Sequence, residues 1–149
     1  MDDYKIFRNG SAWLRADFHL HTKADREFAW EGDDNQFVSR YVEALKAKDI
    51  KVGVIANHNK FDREEFKMLC KEARKQEIYL LPGMELSVKE GTNGIHKIVI
   101  FSEQWINNKE NTDYVEQFLS VTFAGQANYD SENARSNHDL LRSYPIITR

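Results

Sequence analysis

One short run, Lys51-Val52-Gly53-Val54-Ile55-Ala56, most constrains the fold. A run that short and that apolar reads as a strand buried on both faces of a sheet, the usual state of a strand covered by helices on each side. Helical patterns flank it. Upstream, Phe37, Tyr41 and Leu45 recur at helical spacing, with Asp34 or Asn35 placed to cap them. Downstream, Asp62 with Glu65 makes a capping-box pattern, and Phe66, Leu69, Cys70 and Ala73 form one apolar stripe. Trp13 to Thr22 alternates as a strand does. Ile78 to Leu81 is a third strand, stopped by Pro82-Gly83. Strand, helix, strand, helix, strand is the order of a parallel α/β sheet or barrel.

After Gly83 the rhythm changes. Glu85 to Val88 and Ile95 to Phe101 flank a turn-rich stretch and predict a β-hairpin. With the turn centred on Glu90-Gly91, Glu85 pairs with His96 across the strands. With it centred on Asn93-Gly94, the two separate. Both registers are open to the sequence. Tyr114 to Leu119 predicts a short helix, and Ser136 or Asn137 is placed to cap another through Leu141. Residues 1–11 read as a polar leading segment before a single domain over 12–149.

Composition excludes several classes. The 149 residues are 41% hydrophobic and 30% charged, as in soluble globular domains, with enough chain for one sizeable core. The net charge of −3 gives no broad basic field for nucleic acid, though nucleic acid as a partner stays open. No apolar run has the length of a membrane span and no signal-peptide core is present, so no membrane partner is expected. The lone Cys70 fits a cytoplasmic location and a buried apolar role. Trp13, Trp30 and Trp105 read as core or rim packing. Lys46, Lys48 and Lys51 read as a solvated helix end, and His138 as a solvated helix residue.

The chemistry gathers at the predicted strand ends. His19 and His21 stand two apart late on the first strand, so their side chains share a face. His58 follows the second strand, Glu85 the third, and His96 opens the next. In α/β folds ligand sites collect at the carboxyl ends of strands. Imidazoles with carboxylates suit Zn, Mn or Fe. Such ions clamp phosphoryl oxygens and make hydroxide available at neutral pH. No Ser-His-Asp order, phosphate-binding glycine loop or dinucleotide fingerprint competes.

Four segments in order, Asp17-Phe18-His19-Leu20-His21-Thr22, Gly53-Val54-Ile55-Ala56-Asn57-His58-Asn59, Pro82-Gly83-Met84-Glu85 and His96-Lys97-Ile98-Val99, resemble the first four motifs of the PHP (polymerase and histidinol phosphatase) superfamily. The resemblance covers roughly residues 12–101. It implies a distorted (β/α)7 TIM-like barrel with two or three divalent ions, and hydrolysis of a phosphate ester, such as a nucleotide or a nucleic-acid end, by a metal-bound hydroxide. It assigns His19, His21 and Glu85 to the shared core of the cluster, with Glu85 bridging, and His58 and His96 to outer metals. His19, His21, His58 and Glu85 are thereby the catalytic set. Asp17 is expected to orient a ligand. A further ligand a few residues after the HxH falls to Asp25 or Glu27, and spacing favours Glu27.

Two departures stand out. Asn57 occupies a position where the family often has Asp. After His96 the only histidine is His138, and no Asp-x-His follows. The resemblance thus implies a partial barrel lacking its C-terminal strands, as in a truncated chain or a fragment. A missing segment or a partner chain would complete it. The wording also resembles PHP domains that precede an ATPase region in larger bacterial proteins, although no ATPase motif occurs here. The alternative reading is a catalytically inactive PHP module with a structural or interaction role.

Overall fold

The computed structural model describes residues 10, 13–89, 95–108, 112–126, 128 and 134–136. Four strands form one sheet: β1 (Ala16–Leu20), β2 (Val52–Ile55), β3 (Tyr79–Val88) and β4 (Ile95–Ile100), in that spatial order. β1, β2 and the first part of β3 run parallel, and β4 returns antiparallel to the second part of β3. The sheet curls into a half-barrel. Helix α1 (Phe37–Ala47) connects β1 to β2, and α2 (Arg63–Lys75) connects β2 to β3. Two short helices follow β4: α3 (Glu103–Ile106) and α4 (Tyr114–Thr122). The chain is therefore mixed α/β.

β2 is buried along its whole length, as its apolar run requires. The stripes of α1 (Phe37, Val42, Leu45) and α2 (Phe66, Leu69, Ala73) pack with Leu80, Met84 and Leu86 of β3 in one core. Asp62 caps α2, accepting from the Glu65 N–H at 2.9 Å. The reciprocal half of the capping box is not used, because the Glu65 carboxylate turns inward to the Thr22 hydroxyl. At α1 the cap shifts by a residue: Asp33, not Asp34 or Asn35, caps a single 3-10 turn (Asp34–Gln36) that leads into the helix. α4 runs one turn longer than expected. α3, at four residues, is too short to show periodicity.

Pro82-Gly83 does not stop the third strand. β3 passes through both residues and changes partner there, from β2 to β4. Pro82 stays in the ladder through its carbonyl, which accepts from the Phe101 N–H at 2.8 Å. A Cβ on Gly83 would lie 2.5 Å from Val54 Cγ1 and 2.7 Å from the Val99 carbonyl oxygen. Glycine is what lets β2, β3 and β4 close on one another at this point.

Cys70 is half-buried, and burial pushes its thiol up to about 12, in keeping with an inert packing role. Trp30 and Trp105 pack against the core, whereas Trp13 is exposed. The expected leading segment, apart from Gly10, lies outside the described residues, as do His138 and the expected last helix beyond Ser136. No described helix is long and apolar enough to cross a membrane.

Candidate metal centre

The parallel strands bring their ends to one side of the sheet. β1 presents His19 from within the strand and His21 just past its end, on the same face. His58 lies beyond β2 and pairs with Glu85 as an isolated parallel bridge. Backbone bonds lock that bridge: Glu85 N–H donates to the Asn57 carbonyl at 3.0 Å, and Asn59 N–H donates to the Glu85 carbonyl at 2.9 Å. Asn59 takes a left-handed φ of 47°, which asparagine tolerates better than most residues. Its side-chain oxygen accepts from the Ser87 N–H at 2.9 Å. Glu85 consequently sits inside β3, not at its end.

The hairpin takes neither of the two anticipated registers. His96 lies opposite Ser87, and Glu85 opposite Ile98. His96 still reaches Glu85 along the diagonal, because residues two apart on one strand share a face. Its Nδ1 lies 2.6 Å from Glu85 Oε1.

Glu85 is the hub. Its Oε2 lies 2.5 Å from His19 Nε2, 3.2 Å from His21 Nε2 and 3.1 Å from His58 Nε2. His19 Nε2 and His21 Nε2 are 2.9 Å apart. Neighbouring rings are 4.8 to 5.1 Å apart between centroids along the series His19, His21, His58, His96. The Glu85 side chain is 5% exposed, while those of His19 and His96 are 51% and 42% exposed. A buried carboxylate thus lies beneath a rim of imidazoles that opens to solvent.

Asp25 sits on the other side of two of these rings. Its Oδ2 lies 3.1 Å from Nδ1 of His21 and 3.1 Å from Nδ1 of His58, and accepts the His58 backbone N–H at 2.6 Å. Its Oδ1 accepts from the Glu27 N–H at 2.9 Å. An ionised carboxylate only accepts, so both Nδ1 atoms carry their protons toward Asp25. The Nε2 atoms of His21 and His58 then face Glu85, 3.2 and 3.1 Å from its Oε2. Such carboxylate–imidazole pairing orients histidines for a metal ion.

The donor set fits a divalent cation. One carboxylate oxygen faces three imidazole nitrogens, and two of those nitrogens face each other; protons alone satisfy that crowding poorly, whereas a cation satisfies all of them at once. Three groups have ligand atoms within 4.8 Å of one another: His19, His21 and Glu85; His58, Glu85 and His96; and His21, Glu27 and His58. Burial raises the Glu85 carboxyl, but the His19 hydrogen bond, the charge of His58 and the His96 hydrogen bond outweigh it and hold Glu85 below the ordinary value. At Asp25 burial is likewise outweighed, by the N–H groups of Glu27 and His58 and the charge of His21. Both groups are therefore held ionised, as metal binding requires.

All four expected histidines and Glu85 are brought together. Glu27 is exposed, with a carboxylate oxygen near His21 and His58. Asp25 and Glu27 divide the work: Asp25 braces two rings and Glu27 faces the open side. Asp17 bonds the His19 backbone N–H at 3.0 Å, so it fixes the strand end and not the imidazole. Asn57 is buried; its oxygen accepts the Thr22 N–H at 2.8 Å, and its amide donates to the Thr22 hydroxyl at 2.9 Å. That network, continued to Glu65, ties the turn after His21 to the residue before His58. Tyr41 adds a bond from its hydroxyl to the His21 carbonyl at 2.9 Å. The sequence placed Thr22 in a motif, Tyr41 in a helical stripe and Glu65 in a capping box, but it carried no signal for their bonds here, because each pairing joins residues far apart in the chain.

No protein-family model matches the sequence, and no curated protein matches it significantly. The functional reading therefore rests on the geometry of the site and on its motifs.

Proposed function

We propose that the chain is a metal-dependent phosphoesterase of the PHP type, whose ligands are His19, His21, His58, Glu85 and His96, with Glu27 on the open side. The observation that carries this reading is the convergence of four imidazoles on the buried Glu85 carboxylate, at the carboxyl end of parallel strands. Zn, Mn or Fe suits this donor set, and two or three ions fit the overlapping ligand groups. Divalent ions supply positive charge to phosphoryl oxygens and lower the pKa of water. Glu85 belongs to two of the ligand groups and would be the carboxylate they share in holding the ions. Asp25 holds the His21 and His58 rings and fixes which nitrogen faces the ions. The half-exposed His19 and His96 mark the side from which a phosphate ester enters. The half-barrel sheet is, in this reading, the motif-bearing part of a PHP barrel, completed by further chain or by a partner such as an ATPase region.

The test is hydrolysis of a generic phosphate monoester by purified protein supplied with Mn2+ or Zn2+. Turnover is expected with metal, and a loss of at least about 100-fold in kcat is expected in His19→Ala and Glu85→Gln. Bound metal without turnover would leave a metal-binding module with a structural or interaction role.

A further inference from the structure

One peptide unit of the metal centre is clamped at both ends by side chains from elsewhere in the fold. In the unit joining His21 to Thr22, the carbonyl accepts from the Tyr41 hydroxyl at 2.9 Å and the N–H donates to Asn57 Oδ1 at 2.8 Å. Tyr41 comes from α1, and Asn57 stands next to His58. The Thr22 carbonyl in turn accepts the Asp25 N–H at 2.8 Å, which closes the turn that carries Asp25 to the His21 and His58 rings. Thr22 thus ties together the groups that shape the site, while its own hydroxyl is spent on Glu65 of α2.

The bonds around Thr22 run in one direction. Its backbone N–H can only donate, so the Asn57 oxygen faces that N–H and the Asn57 amide faces the Thr22 hydroxyl, to which it donates at 2.9 Å. The hydroxyl, which accepts there, passes its own proton toward Glu65 Oε1. Thr22, Asn57 and Glu65 are all buried, where a polar group left without a partner costs far more than in water. The relay therefore takes one amide and one acid, at opposite ends. An aspartate at 57 would set a second carboxylate against a hydroxyl that has a single proton to give. The amide at 57 and the buried acid at 65 are two halves of one arrangement.

We infer that Asn57, Thr22 and Glu65 are positioning residues of the metal centre. Their relay holds the His21–Thr22 peptide against the residue before His58, and so sets the separation of the two imidazoles that share Asp25 and Glu85. The inference rests on the metal centre of the proposed function and not on the phosphoester step. The relay acts through His21 and His58, as partners behind metal ligands do. Its polarity can also be reversed. In Asn57→Asp/Glu65→Gln the amide and the acid exchange ends. The amide at 65 then donates to the Thr22 hydroxyl, the hydroxyl proton turns to the carboxylate at 57, and the Thr22 N–H still meets an oxygen.

The experiment follows the full chain at one neutral pH, by Zn2+ competition with a chromophoric chelator and by the visible absorption of the Co2+-loaded protein. Asn57→Asp alone is expected to weaken Zn2+ binding at least about tenfold. Adding Glu65→Gln is expected to restore it to within about threefold of wild type, because the pair is coupled. Where Asn57→Asp fails to fold, Thr22→Val and Thr22→Ser decide. Thr22→Val removes the hydroxyl and is expected to weaken binding at least about tenfold and to change the Co2+ absorption; Thr22→Ser is expected to keep both. The Co2+ band reports ligand geometry in the loaded chain, which a mere loss of stability leaves alone. Wild-type affinity or an unchanged Co2+ band in Thr22→Val would overturn the positioning role while leaving the metal centre intact. So would an Asn57→Asp defect that Glu65→Gln fails to relieve. A wild type that binds neither ion would overturn the metal centre itself, and this inference with it.

Discussion

Single residues decide whether the centre can hold a charge. Asp25 is the clearest case, since one of its oxygens faces two imidazole nitrogens at 3.1 Å each. An amide in its place accepts at one end and donates at the other, so it cannot brace both rings. Asp25→Asn is expected to weaken Zn2+ binding by about 10–100-fold with little change in fold, as read by competition with a chromophoric chelator. Glu65 behaves differently. Burial raises its carboxyl, the Thr22 hydrogen bond opposes this, and the nearby Asp62 charge adds to it, so the net shift is upward. The folded state therefore favours the neutral form. The linked stability is present below the ordinary carboxylate pKa and is lost as pH rises through the raised folded value. Urea denaturation across that window should show the wild type losing stability relative to Glu65→Gln. Parallel pH profiles for the two proteins would contradict the burial assigned to this carboxylate.

Elements determine how far the sequence could be read. β2 and the stripes of α1 and α2 were legible because each is a local pattern; His19, His21, His58 and His96 were legible because they fall near strand ends, and Glu85 because it belongs to the Pro82-Gly83-Met84-Glu85 motif. The extent of β3 was not. Pro82-Gly83 carries the local signature of a turn, yet the surrounding strands turn it into the place where β3 exchanges β2 for β4. The register of β3 with β4 was equally hidden, since loop composition allowed more than one turn centre. The bracing by Asp25 and the Thr22–Asn57–Glu65 network were hidden for another reason: they are contacts between elements, which no local pattern encodes. Glycine makes a testable contrast at this scale. At Gly83 a Cβ would press on the Val99 backbone carbonyl at 2.7 Å as well as on Val54. At Gly53 it would meet the ends of two leucine side chains, Leu20 at 2.6 Å and Leu80 at 3.0 Å, which can turn aside. Gly83→Ala is expected to destabilise by about 1–3 kcal/mol and Gly53→Ala by clearly less, as measured by chemical denaturation. The reverse order would mean that β3 does not approach its neighbours this closely.

The whole molecule places its chemistry on one side of a curled, mixed sheet. Parallel pairing brings the ends of β1 and β2 alongside the middle of β3, and the antiparallel return of β4 carries His96 back to the same carboxylate. The net charge of −3 offers no general attraction for phosphate esters; in the proposed function, cations bound at the centre would supply the positive charge. The proposed chemistry therefore depends on metal binding. The most direct measurement is the metal content of the purified chain after equilibration with Zn2+ and removal of free ion, compared with Glu85→Gln under the same treatment. The wild type is expected to retain at least about one ion per chain and the variant to lose it, because the shared carboxylate is gone. A wild type that retains no ion, or a Glu85→Gln variant that retains as much, would contradict a metal centre built on Glu85.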